Sequence, residues 1–295
     1  MRIALASCTT RHAGDADEVP LHQALRSKGA ILEMPAWDDP TVDWSSFDAC
    51  LIRTTWDYMD RREQFLDWTA RVAACTQLFN PMEVVRWNTL KTYLRDIEAR
   101  GAAIAPTIWL EAGARVELSD VLVDRGWERA IVKPMIGASA RETMPFDADR
   151  AGLAAAQAHV DRLLPREGLM IQPFLSAVTT EGEYSVISVD GHVTHAVRKI
   201  PVAGDFRVMD KFGATDELAD LPEADLQSAD RVREICEGIL GCDGPLLYAR
   251  IDLLRDDAGQ LVVNEVELVE PSLFLRRCPA AADSLAVALL TRAAR

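Results

Sequence analysis

Short apolar runs bounded by glycine, proline and polar residues alternate along the chain with longer stretches of helical apolar spacing. Residues 2–7 (RIALAS) have the length and composition of a buried strand. After a polar loop, the amphipathic stretch from about Val19 to Lys28 predicts a helix closed by Gly29, followed by the apolar run ILEMPAW. A further strand, ACLIRTT, covers roughly Ala49 to Thr55, and helical spacing resumes near Asp60. This alternation predicts a small α/β lobe on a parallel sheet, whose ligands gather beyond the carboxyl ends of the strands. Two loops lie there, Ser7 to Thr10 and Arg53 to Tyr58. The first lacks GxGxxG, which counts against a dinucleotide-binding Rossmann unit.

Asn80 and Pro81 break the pattern, and VVRWNTLKTYLRDIEARG then predicts one helix closed by Gly101, followed by IAPTIWL. WERAIVKP reads as a strand ending at Lys133 and Pro134, succeeded by a small-residue loop, a helix from Asp147 to Leu164 and the strand GLMIQPFL. Strand-like EYSVISV and HVTHAVRKI follow, then a loop rich in charge and glycine and a helix from about Ala224 to Leu240. Two runs, YARIDLL and LVVNEVEL, flank RDDAGQ, whose Asp and Gly content suits a tight reversal, so they predict an antiparallel hairpin. The expected units are 1–85, 86–172 and 173–295, with α/β character first and α+β in the C-terminal part.

The hairpin carries the strongest chemical signal. Side chains alternate along a strand, so Glu265 and Glu267 share a face, as do Arg250 and Asp252. Paired, the runs bring carboxylates together beside an arginine, an arrangement that like-charge repulsion opposes without a cation. Oxygen-only ligands suit a hard ion such as Mg2+. The alternative is a solvated acidic edge strand.

Composition narrows the partners. A chain of 295 residues with 49% hydrophobic content can bury a sizeable core. Its net charge of −14 makes nucleic acid an unsuitable partner, because backbone binding needs a clustered basic surface. No apolar run approaches the roughly 20 residues of a membrane helix, and the start lacks the pattern of a secretory signal, so a cytoplasmic protein with no membrane partner is expected. Six cysteines without a CxxC pair read as buried thiols. Lysine is rare beside arginine, which draws attention to places wanting a compact point charge. Lys133 is one, since Gly137, Ala138, Ser139 and Ala140 beyond it leave backbone N–H groups open to phosphate oxygens, although no Walker loop is present and a plain turn fits as well. Lys91, on the helix beginning RWNTLK, reads equally as a solvated helix lysine.

The order of these features resembles the ATP-grasp ligases, in their glutathione-synthetase-like branch, over about residues 86–275. It comprises NxxK at Asn88 and Lys91, IVKP with its small-residue loop, MIQPFL, and the hairpin with Asp252, Glu265 and Glu267. The resemblance implies an ATP-grasp fold with an N-terminal Rossmann-like lobe and two subdomains clasping ATP. It implies that Lys91 and Lys133 reach the phosphates under the loop Gly137 to Ala140. Gln172 and the backbone near Phe174 and Leu175 would meet the adenine edge, with Glu183 also on the nucleotide. One or two Mg2+ would sit on Asp252, Glu265 and Glu267, the last standing where asparagine is usual. Lys199 or Arg198, Arg207 and Arg250 are implied as charge-stabilising groups of the γ-phosphate and acceptor site, while His195 is left as either proton carrier or structural.

The implied reaction activates a carboxylate as an acyl phosphate for attack by an amine, with no covalent enzyme nucleophile. Arg53, Thr54, Thr55, Trp56 and Asp57 in RTTWDY offer a cation and an anion to a small amino-acid-like substrate, with Ser272 and Arg276 as further candidates. RTTWDY, HAVRKIPVAGDFRV and NEVELVEPSLFL are also similar to stand-alone ATP-grasp proteins that include a cyclo-ligase of cycloserine biosynthesis, which closes O-ureido-D-serine to D-cycloserine. A peptide-type ligase on another substrate, a phosphotransferase and a non-catalytic nucleotide-binding module are the rival expectations. A homodimer is left open.

Overall fold

The computed structural model describes residues 1–9, 15–137 and 139–295. Three sheets organise it. The first is fully parallel in the order β2-β1-β3-β4, built from β1 (Arg2–Ser7), β2 (Ile31–Glu33), β3 (Ala49–Thr54) and β4 (Gln77–Phe79). Alternation along β1 and β3 sends Ile3, Leu5, Ala49 and Leu51 to one face and Ala4, Ala6, Cys50 and Ile52 to the other. The second set packs on Phe65, Trp68 and Val72 of α2 (Arg62–Ala73). The first set packs on α1 (Val19–Ser27) and on α9 (Pro279–Ala293), which returns from the far end of the chain. Helix α1 follows its sequence closely, with proline in its first turn, Leu21, Ala24 and Leu25 buried on one stripe, and a close at Lys28 and Gly29. α9 belongs by number to the expected unit 173–295, yet it covers the sheet of the first lobe.

The second sheet runs β5-β8-β6-β7, from β5 (Ile108–Leu110), β6 (Arg129–Pro134), β7 (Met144–Asp147) and β8 (Leu169–Pro173). It packs on α5 (Leu118–Arg125) and α6 (Arg150–Leu163), the latter capped by the Asp149 carboxylate accepting from the Gly152 N–H. The expected boundary at 172/173 falls within β8. The helix expected from Asp147 starts later because Met144–Asp147 pairs with β6.

The third sheet, β11-β10-β9-β12-β13, is antiparallel and carries the hairpin. Its strands are β9 (Glu183–Val189), β10 (His192–Ile200), β11 (Thr215–Leu218), β12 (Tyr248–Arg255) and β13 (Leu261–Glu267). One face packs on α4 (Tyr93–Glu98) and α8 (Glu223–Leu240), and the short α7 (Ala177–Thr180) links the second sheet to the third. The single helix expected after Pro81 is two, α3 (Met82–Asn88) and α4, with Lys91 in the turn between them. Tertiary contacts break it. The Asn88 amide spans the Val266 carbonyl and the Leu268 N–H, and the Lys91 N–H donates to the Met135 carbonyl at 2.8 Å instead of up its own helix.

Candidate active site

Three strand pairings assemble one charged cluster. On the hairpin Asp252 stands opposite Glu265 and Arg250 opposite Glu267, while β9 sets Ser185 against Asp252 and Glu183 against Lys199. Gly182 makes the last pairing possible, since a Cβ there would come within 2.4 Å of the Lys199 carbonyl oxygen. Carboxylate oxygens of Asp252, Glu265 and Glu267 lie within 4.8 Å of one another.

Every acid of the cluster meets a cation. The Arg250 guanidinium forks onto Asp252 through Nε and Nη2, each at 2.9 Å, and also reaches Glu267. Its Nη1 holds the Ser272 carbonyl at 3.0 Å. Lys199 bridges Glu183 and Asp252, and Lys91 pairs with Glu265. Lys133 donates to the Asn264 amide oxygen at 2.9 Å, and that amide's nitrogen donates to Glu183.

These neighbours set the protonation. Burial opposes the charge of Asp252, yet Arg250 and Lys199 outweigh it and hold the carboxyl well below the usual range. Burial and the Lys91 charge bring Lys133 down to about 8. Burial pushes Glu267 up to about 7 against the pull of Arg250, with the Glu265 charge adding to the rise. A trio of oxygen donors crowded enough to raise one of its own members fits a hard divalent cation, which would remove that repulsion.

The cleft above this cluster brings together most of the residues expected from sequence: Lys91, Lys133, Gly137, Ser139, Gln172, Phe174, Leu175, Glu183, Lys199, Arg207, Arg250, Asp252, Glu265 and Glu267 all line it. Ala138 lies outside the described residues. The Gln172 amide donates to the Thr107 hydroxyl, and the Phe174 N–H is spent on the Arg129 carbonyl. Arg207 is held bidentately by Asp205 and stacks 3.9 Å from the Phe212 ring centre, so in this state its fork is engaged. The loop after Lys133 takes positive φ at Ser139, Ala140 and Glu142, and Arg141 anchors it through two bonds to Glu167.

Asn264 also lines the cleft, although strict alternation turns it away from Glu265. The ladder passes from Asp252–Glu265 to Leu253–Val263, so Asn264 is the extra residue of a β-bulge. Nothing in the local sequence marks that bulge. Arg141 was likewise unmarked, as its role depends on a partner distant in the chain.

The RTTWDY residues, expected on the substrate, do not line this cleft, and most of their polar groups have partners of their own. Arg53 is buried and gives Nε and Nη2 to Glu18 and Nη2 again to the Pro271 carbonyl, leaving only a buried Nη1 uncommitted. A guanidinium so occupied is a poor grip for a substrate carboxylate. Asp57 accepts from the Trp37 indole and Arg61, both at 2.7 Å, and so is balanced without an ammonium. Thr54 donates to Ser7, Trp56 donates to the Glu270 carbonyl, and Thr55 is buried with its hydroxyl unpaired. Ser272 is half-buried, its hydroxyl 2.7 Å from Asp17. His195 is tied to the Leu273 carbonyl and the Thr194 hydroxyl, a structural setting.

Against known proteins, the family described as "D-cycloserine synthetase DcsG, N-terminal domain" matches residues 3–80, and "Prokaryotic glutathione synthetase, ATP-grasp domain" matches residues 113–271. The chain is 34% identical over 270 residues to the cycloserine biosynthesis protein DcsG of Streptomyces lavendulae, covering 88% of each. It is similar to the crystal structure of D-cycloserine synthetase DcsG, with a TM-score of 0.89 and 31% identity over 99% of this chain and 100% of that one. D-alanine–D-alanine ligase from Bacillus anthracis, complexed with ATP, shares the fold at a TM-score of 0.67 and 17% identity over 100% and 98% of the two chains.

Proposed function

This chain belongs to the ATP-grasp ligases, and on that premise we propose that it closes O-ureido-D-serine to D-cycloserine with ATP and Mg2+. It is an ATP-dependent ligase, and no helix among the described residues is long and apolar enough to cross a membrane. The observation that carries the finer reading is a likeness to cycloserine-forming relatives that runs through both the first lobe and the ATP-grasp part.

Lys91 and Lys133 then exchange Glu265 and Asn264 for the phosphate oxygens of ATP, and the loop at Gly137 to Ser139 approaches the same oxygens. Asp252, Glu265 and Glu267 hold Mg2+, which when bound neutralises phosphate charge and makes the γ-phosphorus a better electrophile. A substrate carboxylate oxygen bonds to that phosphorus as the bond to the ADP oxygen breaks, and Lys199 and Arg250, fixed beside the acids, balance the developing charge. The nitrogen bonded to the side-chain oxygen next attacks the acyl carbon, phosphate leaves, and the ring closes. Water then adds to the carbamoyl carbon still bonded to the ring nitrogen, that carbon–nitrogen bond breaks with a proton going to the nitrogen, and the carbamic acid released decomposes to carbon dioxide and ammonia, which completes the balance to D-cycloserine.

Phosphate release across a panel of D- and L-amino acids and ureido or aminooxy derivatives, with mass spectrometry of the product, tests this. O-ureido-D-serine is expected to give the fastest release together with the cyclic product. Release with an amino-acid pair giving a linear amide would assign a peptide-type ligase instead, and a stable phosphorylated product would assign a phosphotransferase.

A further inference from the structure

Ser272 occupies a junction. Its carbonyl is held at 3.0 Å by Arg250, whose other nitrogens hold Asp252 and Glu267 of the acidic cluster. Its hydroxyl lies 2.7 Å from Asp17 Oδ2, on the segment that leads into α1 of the first lobe. A carboxylate only accepts, so the one hydroxyl proton of Ser272 is committed to Asp17. What Ser272 Oγ can offer a ligand is therefore lone pairs alone.

Asp17 cannot swing away to release that proton. Its other oxygen, Oδ1, receives the Arg276 backbone N–H at 3.2 Å and Arg276 Nη1 at 3.1 Å, and its side chain is only 4% exposed. Arg276 is itself fixed by the buried Asp216 of β11. A carboxylate behind the hydroxyl also raises electron density at Oγ, which favours a cationic donor over a neutral one.

We propose that Ser272 is a specificity determinant that accepts a hydrogen bond from the substrate's ammonium group, and that Asp17 is the positioning residue that makes it an acceptor only. This rests on the reading above that a small amino-acid-like substrate binds beside the hairpin, and names which of its groups faces the post-hairpin segment.

The arrangement supplies an unusual test. In Asp17→Asn the two Arg276 donors capture the amide oxygen, which turns the amide NH2 toward Ser272. Oγ must then accept from it, and the hydroxyl proton is freed to donate outward. The selectivity of the subsite should reverse with no change of shape.

The probes are D-serine and its counterpart with a methoxy group in place of the ammonium, an acceptor without a proton. Calorimetry on the full chain loaded with Mg2+ and a non-hydrolysable ATP analogue measures both affinities without turnover. Wild type is expected to favour D-serine by about tenfold to a hundredfold, the range of one hydrogen bond to a charged group. Asp17→Asn is expected to erase or invert that ratio, and Ser272→Ala to flatten it while the analogue binds as before. Ser272→Ala keeps the buried Asp17–Arg276 pair, so it answers even where Asp17→Asn fails to fold. Equal loss of both affinities in the variants, an unchanged ratio, or no binding of D-serine to wild type overturns the proposal. Turnover of O-ureido-D-serine on the same preparations reports separately on the proposed reaction: turnover with an unchanged ratio removes the subsite alone, and the expected ratios without turnover remove the substrate alone.

Discussion

The hairpin and the RTTWDY loop each carry an arginine and an aspartate and behave in opposite ways. Around Asp252 the cations Lys91, Lys199 and Arg250 pair with acids that line a cleft, so each pair can be traded for a ligand that brings both signs of charge. Around Arg53 and Asp57 the side-chain partners are Glu18, Arg61 and Trp37 of the first lobe, with the Pro271 carbonyl as a further acceptor for Arg53, and the pairs are consumed in holding the loop. Charge in a motif therefore says little until its partners are counted. A site is where the count closes provisionally, over space a ligand can enter.

The sharpest way to break that comparison is Glu265→Gln. Turnover is expected to fall by about three orders of magnitude, the scale of losing one preorganised electrostatic contact, and the Mg2+ concentration for half-maximal rate to rise. Near-normal kinetics would make the hairpin a solvated edge after all. Arg53→Met is expected to do the reverse, costing about 3–5 kcal/mol by stranding Glu18 and lowering Tm by roughly ten degrees, while kcat/KM of the folded fraction changes by only a few fold. A large kcat/KM loss at unchanged Tm would move Arg53 back into the substrate site. Lys133→Ala is expected to weaken nucleotide binding by about tenfold to a hundredfold in equilibrium titration, the worth of a charge-assisted bond.

The smallest effect comes where the two regions meet. Glu270 is buried and hydrogen-bonded to Tyr58 of the first lobe, and burial, with the Glu267 charge next, pushes its carboxyl up to about 8 from 4.5. The folded state thus keeps a proton that the unfolded chain gives up. That share of stability is complete below about pH 4.5, declines as pH rises, and is gone above about pH 8. Glu270→Gln needs no proton, so it should exceed wild type in denaturant titrations near pH 9, the gap closing toward pH 5. A gap independent of pH would place the Glu270 charge in contact with solvent.

How much of this was legible in the chain follows from how local each determinant is. Arg250, Asp252, Glu265 and Glu267 could be read because strand alternation and a short polar reversal fix their faces within twenty residues. Asn264 could not, because the bulge that turns it inward is a property of pairing. The break at Lys91 was hidden for a similar reason, since its residues suit a helix and only Met135, Val266 and Leu268 forbid one. The fate of Arg53 depended on Glu18, whose position in the chain gives no hint that it would be facing a strand 35 residues on. The strand and helix alternation behind the first, parallel sheet was legible in the chain, but the return of α9 to that sheet was not.

That return has a consequence for how the protein is made. Ile3, Leu5 and Leu51 are translated more than two hundred residues before part of their cover, Leu285, Ala286 and Leu289. Until residues 279–293 leave the ribosome, one side of the first sheet stays incompletely sheathed. Truncating this helix should therefore injure the parallel sheet of the first lobe more than the hairpin that precedes it in the chain.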